Sequence, residues 1–469
     1  MDAAAVYRKG KEEQGRALAA LERRSRALAA TRLAVAAAVV GLLGVEVWAR
    51  SGSWPGFALG LLVFVFVFLV FVHASVHKAI DRASAALRFH ERGLARLDLA
   101  WDRLPATSSR FRSADHPFAN DLDLFGRASV MQVVDATVTL FGEVRLAALL
   151  SADGPGAWPE DVRARQEAVK DLATRTAFRE ALATAGGILD AERPDAASLL
   201  RWAESTGDVA PLLVGVGWVV PVVVASVVAF GPTLGVATGV VTLVVTGALA
   251  LGIAVGHRLS PMLGLVSGRE SAATRWRGMV ALVEGEAFEA PALAGLRGRL
   301  LAEGRKASDA IAALERIVGF VDARGNEVFR LLIGPLLMWD VHCAAALDRW
   351  RRQSGARLRG WLDVLGEVEA LGSLGAFAFE HPEFAWPELA PQPVLEAQTL
   401  GHPLIAAGRR VGNDVKLPSS GRAWVITGSN MSGKSTFLRA IGVNAALAFA
   451  GAPVCARTMR LGPARIATS

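Results

Sequence analysis

The sequence predicts a mainly α-helical fold: four transmembrane helices in two hairpins, long helical segments between and after them, and the start of an α/β domain towards the carboxyl end. Three observations carry this expectation. The composition is 52% hydrophobic against 20% charged, with a mean hydropathy of +0.35, more apolar than a water-exposed chain of this size needs. The longest uncharged apolar runs occur as two close pairs. A glycine-rich loop ending in Gly433, Lys434 and Ser435 separates a strand-like run from a helix-like one.

The first pair of spans is Leu33 to Trp48 and Trp54 to Val72, and with the helix before it makes up a segment 1–76. Eight Lys and Arg residues, from Arg8 to Arg32, precede the first span, whereas only Arg50 separates it from the second. That asymmetry places the amino terminus in the cytoplasm. Glu46 leaves a tilted or interfacial first segment open. A second span follows almost at once, which excludes a cleaved secretory signal.

Residues 77–208 read as cytoplasmic and helical, with apolar positions spaced by three and four over Val162 to Leu182. The second hairpin occupies 209–256. Its spans, Val209 to Phe230 and Leu234 to Val255, are uncharged and separated only by Gly231, Pro232 and Thr233. Residues 257–393 then form a lever-like helical segment, with amphipathic stretches at Ala307 to Leu332 and Leu336 to Trp361. Pro382, Pro387, Pro391 and Pro393 are too dense for a helix, so 380–393 is an extended linker before a last domain at 394–469.

Bulk chemistry narrows the function classes. Two cysteines far apart, Cys343 and Cys455, exclude a disulfide scaffold and a cysteine-based zinc module. A net charge of +7 suits nucleic acid and the cytoplasmic leaflet of a membrane equally.

The strongest chemical signal lies at 423–449. The apolar run Ala423 to Thr427 is strand-like, the loop runs Gly428, Ser429, Asn430, Met431, Ser432, Gly433, Lys434, Ser435, and Thr436 through Phe449 is helix-like. The spacing Gly, four residues, Gly, Lys, Ser is that of a P-loop. Its glycines let backbone amides turn towards phosphate oxygens, Lys434 supplies a cation to the outer phosphates, and the Ser435 hydroxyl completes a magnesium shell. ATP and Mg2+ are the expected cofactors, bound by residues 428–436.

Thr427 to Arg439, TGSNMSGKSTFLR, resembles the TGPNMGGKST loop of the MutS mismatch-repair ATPases, including Asn430 and Met431 and departing at Ser429 and Ser432. Gly401 to Leu404 resembles the HP element that opens the family's ATPase domain. Val411 to Asp414 resembles its nucleotide-base segment, which adds Asn413 to the expected nucleotide contacts, and Gly451 to Gly462 is also similar. Asp121 to Gly126 (DLDLFG) and Arg165 to Val169 (RQEAV) resemble segments of the helical core that precedes it. The resemblance implies a membrane-anchored MutS-related protein that binds DNA and forms a homodimer through its ATPase domain. The family's Walker B strand, signature loop and histidine belong after residue 469, so the sequence is expected to be a fragment. Turnover by this stretch alone is not expected, and no catalytic residue is assigned.

Other residues invite chemistry and are read more plainly. His73 and His77 have metal-ligand spacing but no carboxylates near them in sequence. Phe89, His90 and Glu91 satisfy a Phe-x-Glu pattern but read as a packed phenylalanine beside a solvated glutamate. Trp339, Asp340, His342 and Cys343 read as satisfied core groups. The run Arg349, Arg351, Arg352, Arg357 and Arg359 is a candidate DNA contact or a solvated face. The competing functions are a transport-type membrane ATPase and a non-hydrolysing membrane scaffold that retains a nucleotide loop.

Overall fold

The computed structural model describes residues 2–49, 54–105, 107–152, 158–187, 197–206, 209–267, 270–301, 304–417, 423–427 and 433–468. Its α-helices begin with α1 (Ala3–Ala49), α2 (Trp54–Leu97), α3 (Val130–Val134), α4 (Leu140–Leu150), α5 (Glu160–Thr174), α6 (Thr176–Gly186) and α7 (Ala197–Glu204). They continue with α8 (Pro211–Phe230), α9 (Thr238–Gly264), α10 (Glu270–Gly285), α11 (Pro291–Leu300) and α12 (Ala307–Asp322). The last are α13 (Gly334–Leu336), α14 (Trp339–Trp350), α15 (Ala356–Glu380) and α16 (Lys434–Ala450). Among the described residues there are four short strands: β1 (Glu388–Leu389), β2 (Leu395–Leu400), β3 (Asn413–Leu417) and β4 (Thr458–Leu461). The chain divides into two compact units, one of residues 1–138, 145–191 and 369–469, the other of residues 139–144 and 192–368.

In the first unit α1 and α2 form an antiparallel hairpin, with the Arg32 guanidinium over the Phe66 ring near one end and Gly10 against His90 near the other. A 44-residue helix such as α2 is about 66 Å long, roughly twice the hydrocarbon thickness of a bilayer. Each arm therefore runs well beyond its apolar stretch. Phe57, Phe64, Phe68 and Phe71 project outwards from that stretch, as lipid-facing residues do. The opposite end is pinned by polar chemistry. Buried Tyr7 donates to Glu380 Oε1 at 2.9 Å, and Arg96 donates to the same carboxylate from Nε and Nη2 at 2.5 to 3.1 Å. Gly93 has no Cβ because the Tyr7 ring occupies that space.

The sheet of this unit is mixed, in the order β1-β4-β2-β3. Strand β1 runs parallel to β4, and β2 is antiparallel to both β3 and β4. Alternation sets its faces: Ala397, Val415, Met459 and Leu461 are buried, while Glu396 stands between Lys416 at 3.6 Å and Arg460 at 3.9 Å. The proline-dense segment joins this sheet through β1 and through a bridge from Ala385 to Val454.

In the second unit α8 and α9 are the other pair of long apolar helices, and Leu212, Trp218, Val222 and Leu243 face outwards. Four helices among the described residues are thus long and apolar enough to cross a membrane. Helix α9 starts four residues later than expected because the turn after Phe230 continues through Gly235, at φ +69°, before Thr238 restarts the helix. The expected amphipathic helix from Ala307 to Leu332 is corrected. It ends at Asp322 and is followed by a 3-10 turn and a π-helical segment, Phe329–Ile333. A left-handed residue, Met338 at φ +49°, then sets a 73° bend between Phe329–Leu336 and the helix that begins at Trp339. The bend falls directly after α13, whose Pro335 has no amide to donate to the preceding turn.

Candidate functional site

The candidate site is the amino-terminal end of α16. Helix α16 begins at Lys434 directly after Gly433, which sits at φ +82°, a left-handed conformation that glycine adopts without steric cost. A Cβ at Gly433 would meet nothing within 4 Å, so backbone conformation, not crowding, calls for glycine there. As the N-cap, Gly433 contributes no side chain to the first turn, whose amides point out of the helix end along its dipole. Lys434 is half-buried, while Ser435 and Thr436 are exposed. The described part of the loop is therefore a helix amino terminus with one cation and two hydroxyls beside it.

Of the expected nucleotide-binding residues, the structure brings Gly433, Lys434, Ser435 and Thr436 together at this terminus. Gly428, Ser429, Asn430, Met431 and Ser432 lie outside the described residues. Asn413 is exposed at the start of β3, opposite Leu400, on the sheet and not at the helix start. The strand-like reading of Ala423 to Thr427 is corrected: these residues carry no strand assignment, and Trp424 and Val425 are 42% and 85% exposed. A strand needs a neighbour to bond its alternate amides and carbonyls, and the four-stranded sheet is built from other residues.

The far end of α16 is buried and hydrogen-bonded to its surroundings. Residues 442–450 are all buried. Fully buried Asn444 donates from Nδ2 to the Gly401 carbonyl at 2.9 Å and to the Ala440 carbonyl at 2.7 Å, and its Oδ1 accepts from the Cys455 amide at 2.7 Å. One side chain thus ties the helix to the loop that carries His402 and to the segment before β4. Sequence reading passed over Asn444; a polar residue inside the apolar run from Ala440 to Ala450 was the signal available.

The two helical-core segments singled out in the sequence converge on this helix. Leu122 packs against Gly442, where a Cβ would stand 2.6 Å from its Cδ2. Asp123 pairs with Arg439 at 2.9 Å. Arg165 and Gln166 close on Gly451, the left-handed residue that ends α16, and Gln166 donates to the Pro387 carbonyl at 3.1 Å. Buried His402 accepts from the Leu404 amide through Nδ1 at 3.3 Å. Burial, aided by Arg439 and Arg410 and opposed by Asp123, holds its imidazole below the usual pKa. Burial pushes the Cys455 thiol up to about 11.

The site is a glycine-preceded helix terminus packed against helical-core segments, and sequence comparison shows what the chain is similar to. No family model matches the chain. The DNA mismatch repair protein MutS of Sorangium cellulosum (strain So ce56) is 34% identical over 126 residues, 25% of this chain and 14% of that protein. DNA mismatch repair protein MutS 1 of Halobacterium salinarum (strain ATCC 29341 / DSM 671 / R1) is 37% identical over 116 residues, 24% of this chain and 13% of that protein. Part of the chain is therefore similar to MutS proteins, over a small share of their length.

The remaining candidates resolve into structure. His73 and His77 place their Nε2 atoms 2.7 Å apart, and no group of three or more metal-ligating side chains occurs among the described residues. Phe89 is buried edge-on against Tyr7, and Glu91 pairs with Lys11 at 3.2 Å. His342 bonds the Gly217 carbonyl at 3.1 Å, and Asp340 pairs with Arg324 at 3.0 Å. In the arginine run, Arg351 and Arg352 share the buried Asp348 carboxylate at 2.5 and 2.9 Å. Arg359 grips Glu204, and Arg357 lies over Trp361. Two carboxylates thus face three of the five arginines, and the run keeps a net positive charge.

Proposed function

We propose that this chain is a membrane-tethered, MutS-like nucleotide-binding protein whose loop at 428–436 binds ATP with Mg2+. The observation that carries the reading is the convergence of the Asp121–Gly126 and Arg165–Val169 segments on the helix that Gly433 and Lys434 begin. A helix terminus buttressed by a packed core can pass a change at the phosphates to distant helices. The residues present suit the ligand: a left-handed glycine, outward-pointing amides, a lysine, and exposed hydroxyls at Ser435 and Thr436. Lys434 and the loop amides hold the phosphates, and Ser435 contributes its hydroxyl to the metal, which offsets phosphate charge.

The relatives are mismatch-repair proteins by name, and DNA is the proposed polymer partner, with a homodimer formed through residues 394–469. The long apolar helices serve as anchors, with the amino terminus and the loop on the cytoplasmic side. Anchoring is favoured over transport because the threonines of α9 satisfy themselves: Thr242 Oγ1 donates to Thr238 O at 3.0 Å and Thr246 Oγ1 to Thr242 O at 2.8 Å. They offer a substrate path little. The test uses the full chain in vesicles with a fluorescent ATP analogue and duplex DNA. Magnesium-dependent analogue binding together with DNA co-flotation supports the proposal; nucleotide-driven solute uptake without DNA co-flotation sinks it in favour of a transporter.

A further inference from the structure

The second unit carries an apolar segment that water alone does not explain. Val328, Leu331, Leu332, Ile333 and Leu337 are 61%, 54%, 52%, 45% and 43% exposed, five aliphatic side chains within ten residues, on the π-helical bend described above. The segment is packed on α9. A Cβ on Gly252 would overlap the Pro335 carbonyl, and one on Gly256 would stand 2.7 Å from Asp340 Oδ2. The glycines, one turn apart, open a groove that receives a backbone at close range.

We infer that residues 328–337 form a re-entrant element whose aliphatic side chains enter the hydrocarbon of the leaflet beside α9. The inference rests on reading α9 as a membrane span. Depth supports it: Gly252 lies six residues before Arg258, so Pro335 sits about 9 Å from that charge along the helix, towards the apolar end. On α9 itself Leu243, Leu251 and Ile253 are exposed too.

Backbone chemistry points the same way. A segment entering hydrocarbon must satisfy its own amides and carbonyls. Here the Phe329 amide donates to Asn326 Oδ1 at 3.1 Å. Arg330, Leu337 and Met338 donate to the carbonyls of Asn326, Ile333 and Pro335 at 2.9, 3.0 and 3.1 Å. Pro335 has no amide to satisfy. Charges collect at the rim: Arg324 pairs with Asp340 at 3.0 Å, and Arg330 reaches back to Glu327 at 3.9 Å, as a long cationic side chain does at an interface. Trp339 donates from Nε1 to the Phe320 carbonyl at 2.9 Å, an aromatic anchor at the same edge.

The test places a single environment-sensitive probe at Leu332→Cys in the full-length Cys343→Ala, Cys455→Ala background. The protein is reconstituted in phosphatidylcholine–phosphatidylglycerol vesicles, with Leu243→Cys and Arg316→Cys as the span and water controls. The expected result is a loss of emission at 332 in brominated lipid comparable to that at 243, with little effect of aqueous iodide. Quenching at 243 by bromolipid but at 332 by iodide overturns the inference and leaves the span standing. Shielding of 332 from both quenchers overturns it in favour of a protein contact. Failure of bromolipid at both 243 and 332 overturns the span reading as well.

Discussion

Replacing Asn444 by Ala tests whether one buried amide holds the nucleotide-loop helix to its surroundings. The substitution removes the acceptor of the Cys455 amide and the donor to the Gly401 carbonyl, both in a part of the first unit where Cys455 and residues 442–450 are buried. The Ala440 carbonyl loses less, because it also lies within the helix's own ladder. Two buried groups left without partners cost about 1–2 kcal/mol each, or about 2–4 kcal/mol together. Each 1.4 kcal/mol is a tenfold change, so the protection of amides in α16 and at 451–456 should fall roughly 30- to 700-fold. Hydrogen exchange with peptide-level mass spectrometry on the full chain in detergent reads this directly. Peptides from α10 and α12, which belong to the other unit, serve as the reference and should not change. Protection at 451–456 equal to that of the unsubstituted chain would refute the reasoning.

Four further outcomes follow from buried chemistry in the same unit. Glu380→Gln leaves Arg96 buried without its carboxylate and should destabilise the unit by about 3–5 kcal/mol, read as a fall in the denaturant midpoint. Tyr7, pushed up to about 12 by burial and then by Glu380, keeps its proton in the folded state, so its stabilisation is present below pH 10 and lost as pH rises towards 12; Tyr7→Phe should flatten that alkaline loss. His402 is held below its usual pKa, so the folded state prefers the neutral ring. Its contribution is present above about pH 6.5 and lost as pH falls below that value. Thermal melts between pH 5 and 7 should therefore shift less in His402→Gln. The Cys455 thiol, raised by burial to about 11, should resist iodoacetamide at pH 8 until the chain is unfolded.

Much of the helical architecture is legible in the sequence because membrane-length apolar runs leave few alternatives. The two paired runs reappear as the apolar parts of α1, α2, α8 and α9. What is not legible depends on distant partners. Glu204 neutralises Arg359 from 155 residues away, so the arginine run reads as a free basic stripe when its neighbours are unknown. The apolar residues 423–427 have the composition of a strand, but strand formation needs a pairing partner that local composition does not supply. The bend at 329–338 was signalled by Gly334–Pro335, a breaker inside an otherwise amphipathic pattern. At the site, the glycine and lysine of the loop announce themselves by spacing, whereas Asn444, His402 and the Asp123–Arg439 pair owe their roles to the packing around α16.

The most direct test of the central claim is equilibrium binding of a fluorescent ATP analogue, with Mg2+, to the full chain in detergent and to its Lys434→Ala variant. Hydrogen exchange would confirm that both retain a protected α16. The account predicts saturable binding to the chain with lysine and loss of binding without it. Equal binding by the two proteins, or none by either, would contradict it.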